Sequence, residues 1–271
     1  FELSGQIGEP LTGRKTTLTL YPIAELELAS HYNRAELQQQ LSERLVYGAY
    51  PEIITASSQT EKARILEELV HSYLLKDILE LERVKGSKIL LDLLRLIAYQ
   101  VGSEVSLSEL GSKIGADTKT VARYLDLFEK SFVILNLRGF SRNLRKEVTK
   151  KSKYYFYDLG IRNAIISNFN SVDARDDIGA LWENFCVIER LKMRTYRDIY
   201  ANQYFWRTWD RKEIDLIEER AGKLFGYECK YAGQGGHAYR QAGKKKAAWL
   251  NTYSEASFEL ITRVSYLDFV L

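Results

Sequence analysis

The stretches Glu213-Ile214-Asp215 and Glu228-Cys229-Lys230 decide how the second half of this chain folds. Apolar and polar residues alternate through both, which predicts two strands, residues 212–218 and 223–231. A turn over the residues between them closes a hairpin, and Gly222 can take the positive φ that such a turn needs. The sequence therefore predicts an antiparallel pair that carries several charges on a short length of chain.

The charges of this hairpin are those that magnesium-dependent phosphodiester hydrolysis requires. Carboxylate oxygens bind a hard cation, and a lysine can orient or deprotonate the attacking water. The strand period of two places Glu228 and Lys230 on one face, and hairpin pairing brings Asp215 within reach of the same metal ion. Ile214 and Leu216 are expected together on the face opposite Asp215. A hairpin with one solvated, charged face explains the same alternation and stays an open alternative.

Composition sets broad limits on the function. The chain has 271 residues, 45% hydrophobic and 28% charged, as is typical of globular proteins with about two domains. No apolar run reaches the ~18 residues needed to span a bilayer, and no secretory signal is visible, so no membrane partner is expected. Cys186 and Cys229 lack disulfide or zinc spacing, and a cytoplasmic location is expected. Because the chain begins at Phe1, we expect it to be the ordered or expressed part of a longer protein.

In the first hundred residues the sequence predicts helices and no catalytic site. Residues 34–47, 60–83 and 88–101 show helical apolar spacing. The segment from Gly8 to Thr16 superficially resembles a phosphate-binding loop. Arg14 interrupts the required order, however, and no strand precedes the segment, so this chain is not expected to bind ATP by itself.

Residues 105–157 show the order of a winged helix: helix, turn, helix, strand, basic loop, strand. Ser106 followed by Glu109 predicts the first helix, and the second begins near Thr118 with Tyr124 on its outer surface. Strands are predicted over 132–138 and 154–157. The basic side chains available for phosphate contacts are Lys119, Arg123, Arg142, Arg145, Lys146, Lys150 and Lys151, with Arg138 and Lys153 at the ends of the loop. Their clustering favours DNA as a partner. Two alternatives explain the same basic side chains. In one, the winged helix serves for packing and its basic loop is solvated; in the other, the basic surface packs against an ATPase domain.

The last hundred residues predict an α/β unit around the hairpin. A helix over 177–195 and a strand over 203–209 precede it. A helix over 239–250 follows, with Gln241 near its start and Lys244 to Lys246 exposed. Strands over 257–262 and 266–270 complete the unit, which has a normal domain size of about 100 residues.

This unit resembles the restriction-endonuclease-like fold, the PD-(D/E)xK nuclease superfamily. The match rests on Asp215, on Glu228-Cys229-Lys230 and on Glu183 in the preceding helix. The resemblance implies that Asp215 and Glu228 bind Mg²⁺, that Glu183 adds a ligand and that Lys230 assists the water. Gln241 is implied as a catalytic helper, whereas Glu213 is left as a solvated neighbour.

The whole chain is similar to a prokaryotic AAA-like ATP-binding family with a C-terminal domain of unknown function, DUF4143. The matching segments are residues 1–5, 9–14, 20–22, 47–52, 73–78, 157–163 and 181–185. The resemblance implies an α+β or α/β multidomain architecture. Its parts are the edge of an ATPase domain (1–30), a helical, lid-like segment (31–103), a winged helix (104–158) and a restriction-endonuclease-like domain (175–271). It also implies ATP binding in the intact protein, with Arg14 near the nucleotide, and a homo-oligomer formed through the ATPase domain.

Two functions remain open at this point. In the first, the protein binds DNA through the winged helix and cuts it at a Mg²⁺ site. In the second, the nuclease fold is a scaffold in a non-catalytic ATPase switch that binds DNA or protein.

Overall fold

The computed structural model describes residues 18–74, 87–141, 151–208, 212–232 and 237–271. Arg14 and the loop residues Arg142, Arg145, Lys146 and Lys150 lie outside the described residues. The predictions made for them therefore stay predictions.

The described residues form a mixed α/β structure with eleven α-helices. The helices are α1 (Glu25–Leu28), α2 (Arg34–Tyr47), α3 (Pro51–Thr55), α4 (Gln59–Glu68), α5 (Ser87–Tyr99), α6 (Leu107–Ile114), α7 (Thr118–Lys130), α8 (Leu159–Ile165), α9 (Ile178–Tyr196), α10 (His237–Thr252) and α11 (Tyr266–Val270). A π-helical turn (Leu69–Leu74) extends α4, and a 3₁₀ turn covers Val172–Ala174. None of the described helices is long and apolar enough to cross a membrane.

Seven strands form one mixed sheet in the order β1-β3-β2-β4-β5-β6-β7. The strands are β1 (Glu104–Val105), β2 (Ile134–Gly139), β3 (Ser152–Phe156), β4 (Asn202–Arg207), β5 (Glu213–Arg220), β6 (Lys223–Cys229) and β7 (Ser257–Ile261). The β2–β4 and β6–β7 pairs are parallel, and the other pairs are antiparallel.

Local capping signals explain where the helices before β2 begin. The Ser106 and Asp117 side chains accept hydrogen bonds from the backbone N–H groups of Glu109 and Thr120, at 3.5 and 2.7 Å. Such caps satisfy N–H groups that the first helical turn leaves without partners. The predicted starts of α6 and α7 are therefore confirmed. Tyr124, predicted on the outer surface of α7, is buried, so that prediction is wrong.

The sheet crosses the predicted boundary between the segments 104–158 and 175–271. Arg138 and Gly139 of β2 pair in parallel with Tyr204 and Phe205 of β4. Strands β1 to β3 therefore belong to the same sheet as the predicted hairpin. Side chains from the earlier segment can in this way reach the site that the hairpin carries.

The two faces of the sheet are covered by different helices. Helix α9 contacts β3 and β6 within the large hydrophobic core, which also holds most buried residues of α2 to α8. Helix α10 contacts β5 and β7 above a smaller cluster centred on Trp206 and Trp249. A Cβ on Gly226 would lie 2.9 Å from the Trp249 indole nitrogen, so only glycine permits this close approach. Both faces of the hairpin strands are therefore buried, rather than one being solvated.

The segment 266–270 is a helix, not the predicted strand. Backbone N–H groups of Ser265 and Tyr266 donate to the Thr262 carbonyl at 3.1 and 2.9 Å, which turns the chain out of β7. The buried residues of the segment, Tyr266, Leu267, Phe269 and Val270, have the i, i+1, i+3, i+4 spacing of a helix face. The segment is too short for the sequence alone to distinguish a helix period from a strand period.

Candidate functional site

Asp215 and Glu228 lie where the two strands of the hairpin stop pairing. The β5–β6 ladder runs from Arg220 and Lys223 to Leu216 and Tyr227, and both carboxylates come directly after its last pair. Asp215 is 3% exposed, and Glu228 is fully buried. The backbone N–H of Cys229 donates to Asp215 Oδ2 at 2.8 Å, which fixes the first carboxylate against the strand of the second.

A β-bulge sets the direction of Asp215. Between two β4–β5 pairs, β4 has the single residue Phe205, whereas β5 has both Asp215 and Leu216. The extra residue breaks the alternation, so Leu216 packs in the large core while Ile214 packs in the small cluster under α10. The predicted shared face of Ile214 and Leu216 is therefore wrong. Bulges commonly re-aim a side chain beside a functional site.

Two lysines neutralise one oxygen of Glu228. The Nζ atoms of Lys230 and Lys245 lie 2.7 and 2.5 Å from Glu228 Oε1. The other oxygen, Oε2, is buried and has no hydrogen-bond partner among the described residues. A buried acceptor without a partner is costly, so this oxygen gains from a bound donor or cation.

Glu183 of α9 is held by β3. The Tyr155 hydroxyl donates to Glu183 Oε1 at 2.6 Å, and Lys153 Nζ lies 2.9 Å from the same oxygen. Gly102, at φ +72°, gives this carboxylate room, since a Cβ there would lie 3.3 Å from Glu183 Oε1. The third predicted carboxylate is thus fixed by groups that precede the hairpin in sequence.

Lys153 contacts a second carboxylate of the site. Its Nζ forms an ion pair with Glu213 and lies 5.4 Å from the centre of the Phe205 ring. Lys153 is 2% exposed, so its assignment to the basic loop is wrong. Glu213, predicted as a solvated neighbour, also pairs with Arg207 at 3.8 Å, and its side chain is only 22% exposed.

The electrostatics show that the carboxylates act on one another. Burial, followed by the charge of Asp215, raises the pKa of Glu183 to about 7. Burial and Asp215 also raise the pKa of Glu228, against the opposing effect of Lys230 and Lys245. Burial lowers the pKa of Lys230, but Asp215 and Glu228 outweigh it and leave it raised. The structure therefore brings four carboxylates and three lysines into one interacting group, which we call the carboxylate cluster. Its members are Glu183, Glu213, Asp215, Glu228, Lys153, Lys230 and Lys245.

Three residues that contact the carboxylates of the cluster were not identified from the sequence. Lys153 and Tyr155 have the strand spacing that puts them on one face of β3, but nothing in the sequence places β3 beside α9. Lys245, predicted to be exposed, reaches Glu228 from α10. Gln241 lies exposed one turn earlier on that helix. Its catalytic role stays a prediction.

The described part of the predicted DNA surface is exposed. Lys119 and Arg123 lie on the outer side of α7, four residues apart, and Lys151 lies at the start of β3. Lys151 Nζ is 2.5 Å from Glu104 Oε2, so its charge is partly used within the protein.

The donor chemistry of the cluster fits a hard divalent cation at Asp215 and Glu228. Both offer carboxylate oxygens, and Glu228 Oε2 is a buried acceptor without a partner in the part of the chain that the structure describes. Among the described residues, however, no group of three or more His, Cys, Asp and Glu side chains is arranged to hold a metal ion. The lysines, and not a third carboxylate, complete the surroundings of this pair.

Comparisons with known proteins give domain families without assigned functions. Residues 38–172 match a domain of unknown function, DUF8612, and residues 178–260 match another, DUF4143. No solved structure is significantly similar to this chain.

Three similar proteins come from distant microorganisms, and each is described as uncharacterized. The protein of Haemophilus influenzae is 26% identical over 82% of this chain and 54% of its own length. The protein of Mycobacterium tuberculosis is 25% identical over 84% of this chain and 50% of its own length. The protein of Methanocaldococcus jannaschii is 23% identical over 79% of this chain and 50% of its own length. The chain spans about half the length of the relatives it matches. Over residues 178–260 the predicted resemblance to DUF4143 is confirmed.

Proposed function

We propose that this chain is the nucleic-acid-processing part of a larger ATP-binding protein, with a metal-dependent phosphodiester-cleaving site at Asp215 and Glu228. The observation that carries the proposal is the meeting of these two carboxylates with Lys230 where β5 and β6 separate. Glu228 Oε2 is buried and has no hydrogen-bond partner among the described residues, which supports a bound cation there.

Each residue has a role that its geometry supports. Asp215 and Glu228 would hold Mg²⁺, which would neutralise charge that develops on the phosphate. Lys230 remains an ammonium because neighbouring carboxylates raise its pKa, so it orients the attacking water and stabilises negative charge.

Binding of DNA is proposed for the segment from β1 to β3. Its element order and its β1-β3-β2 sheet match the winged-helix order, and Lys119 and Arg123 are exposed on α7. A second helix with exposed basic side chains can contact phosphates, and these contacts carry most non-specific affinity.

The cleavage assay uses supercoiled plasmid, the 271-residue chain and Mg²⁺ or Mn²⁺. We expect nicking that Lys230→Ala slows about 10²–10³-fold, as is usual for loss of a positioned donor that stabilises developing negative charge. Lys223→Ala at the exposed hairpin tip is the matched control. No cleavage by the wild type, or equal cleavage by Lys230→Ala, would contradict the proposal.

The alternative, a scaffold without catalysis, is favoured by one observation. Lys230 and Lys245 already neutralise Glu228 Oε1. In that case the chain still binds DNA but does not cut it, so fluorescence anisotropy together with the cleavage assay separates the two functions. Replacing Lys119 and Arg123 by Ala should weaken binding and reduce its salt dependence by about one unit of slope per phosphate contact. Lys223→Ala again serves as control, and an unchanged affinity would exclude α7 as the binding surface.

A further inference from the structure

Lys153 stands out because it is the most deeply buried lysine of the cluster and comes from outside the hairpin. Its side chain is 2% exposed, compared with 31% for Lys230 and 24% for Lys245. It contacts both Glu183 and Glu213, and it precedes them in the chain on β3. No matched domain family assigns it a role.

We propose that Lys153 is a built-in cation that takes the place of a second metal ion, so that one divalent metal binds, at Asp215 and Glu228. This inference rests on the proposed metal-dependent function and specifies its metal count. Lys153 is then a positioning residue: it holds Glu183 and Glu213, and it does not touch the substrate.

Burial decides which lysine a metal can displace. A charged group without a partner is very costly in the interior, whereas an ammonium that reaches water loses little when its partner is removed. The side chain of Lys245 is long and partly exposed, so its ammonium group can turn toward solvent when a metal ion binds Glu228. Lys153 has no such route, so its two carboxylates stay occupied.

The hydrogen bonds point in the same direction. Glu183 Oε1 already accepts from the Tyr155 hydroxyl and from Lys153. At this site the buried acceptor without a partner belongs to Glu228, among the residues that the structure describes. The buried oxygen that gains most from a bound cation therefore lies on the Asp215 and Glu228 side of the cluster.

The charges give a third reason. Four carboxylates, Glu183, Glu213, Asp215 and Glu228, face Lys153, Lys230, Lys245 and Arg207. When one divalent cation displaces Lys245, this balanced group gains two positive charges and loses one, so its net charge rises by one. A second divalent cation would need a further displacement, and the remaining contacts of Glu183 and Glu213 offer only buried Lys153 and Arg207, which also pairs with Glu104.

The test counts Mn²⁺ ions bound to the 271-residue chain by electron paramagnetic resonance of the free ion. The wild type should bind one Mn²⁺, and Asp215→Asn should abolish this binding. Lys153→Met should bind a second Mn²⁺, because Glu183 and Glu213 are released. Lys151→Met, two residues earlier and exposed, is the matched control and should still bind one.

A double variant, Lys153→Met with Glu183→Gln, covers the case in which Lys153→Met alone does not fold. It removes the ion pair without changing the net charge and should bind one Mn²⁺ within about threefold of the wild-type affinity. A metal ligand or its close support is typically worth about 10–100-fold in affinity, so a tenfold loss would overturn the inference by making Glu183 a ligand.

The remaining outcomes separate this inference from the proposed function. If the wild type binds two Mn²⁺, or folded Lys153→Met still binds one, Lys153 does not replace a metal while the proposed function stands. If the wild type binds no Mn²⁺, or Asp215→Asn leaves binding unchanged, both are overturned.

Discussion

Two of the buried ionic groups along helix α9 are built in opposite ways. The carboxylate cluster lies beside its first half, at Glu183. Beside its second half, Glu218 of β5 is enclosed by Arg190, Arg194 and Arg220, which we call the guanidinium cluster. The first has four acidic groups served by three lysines and one arginine, and the second has one acid served by three arginines.

The geometry of the guanidinium cluster indicates a structural role. Arg190 donates to both oxygens of Glu218, at 2.9 and 3.2 Å, and also to the Phe269 carbonyl at 2.7 Å. Glu218 is fully buried. The planar guanidinium group suits such fixed, two-point contacts, and it cannot lose its proton. This cluster joins α9, β5 and α11 and has no oxygen of Glu218 left for a ligand.

The carboxylate cluster differs in the features that allow chemistry. Its lysines at Glu228 are single-point contacts on partly exposed side chains, and one oxygen of Glu228 has no hydrogen-bond partner within the described ranges. Among the described residues the guanidinium cluster also has buried atoms without a hydrogen-bond partner, Arg194 Nε and Arg220 Nε, but these are donors and cannot bind a cation. The contrast teaches that burial of charge alone does not identify a site. A functional site is instead distinguished by cations that can move away from its carboxylates.

The largest expected effect tests the structural role of the guanidinium cluster. Glu218→Gln leaves three guanidinium groups without their counter-charge, and breaking a buried ion pair in this way costs about 3–5 kcal/mol. The free energy of unfolding, measured by urea denaturation, should fall by that amount. Glu219→Gln, on the neighbouring and less buried residue, is the control. A loss for Glu218→Gln no larger than that of the control would break the comparison.

A smaller effect is expected at the carboxylate cluster. Glu228→Gln should change the free energy of unfolding by only about 1 kcal/mol or less, since Lys230 and Lys245 can turn to water. Burial already disfavours the charged form of Glu228, as its raised pKa shows. The same urea experiment measures it. A cost as large as that of Glu218→Gln would mean that both clusters are structural.

The smallest effect on stability is expected for Lys245→Met. A single partly exposed ion pair is worth about 0.2–1 kcal/mol, and Lys230 remains to neutralise Glu228. The Mn²⁺ titration should instead shift to lower metal concentration, because the displaced cation is gone. Lys244→Met on the same helix is the matched control. An unchanged titration would show that Lys245 does not compete with the metal.

Much of this arrangement could be predicted from the sequence. Apolar periodicity and the caps at Ser106 and Asp117 gave helices and strands within a few residues of their observed bounds. The spacing of Asp215, Glu228 and Lys230 identified the two strands of the site, because strand period and hairpin pairing are local properties. The short C-terminal helix was predicted wrongly, since five residues carry too little periodic signal.

The partners of the site could not be predicted, because they depend on pairings between distant parts of the chain. The bulge at Asp215 and Leu216 arises only when β5 pairs with β4. Lys153 looked like part of a basic loop, and only the antiparallel pairing of β3 with β2, and the parallel pairing of β2 with β4, put it beside Glu183.

The sequence by itself determined the local elements and the inventory of charged groups on them. The tertiary structure decided which charges meet, which of them are buried and which cation can leave. The physical reason is one of range: helix and strand periods and caps act over a few residues, whereas the free energy of a buried charge depends on neighbours that folding brings from anywhere in the chain.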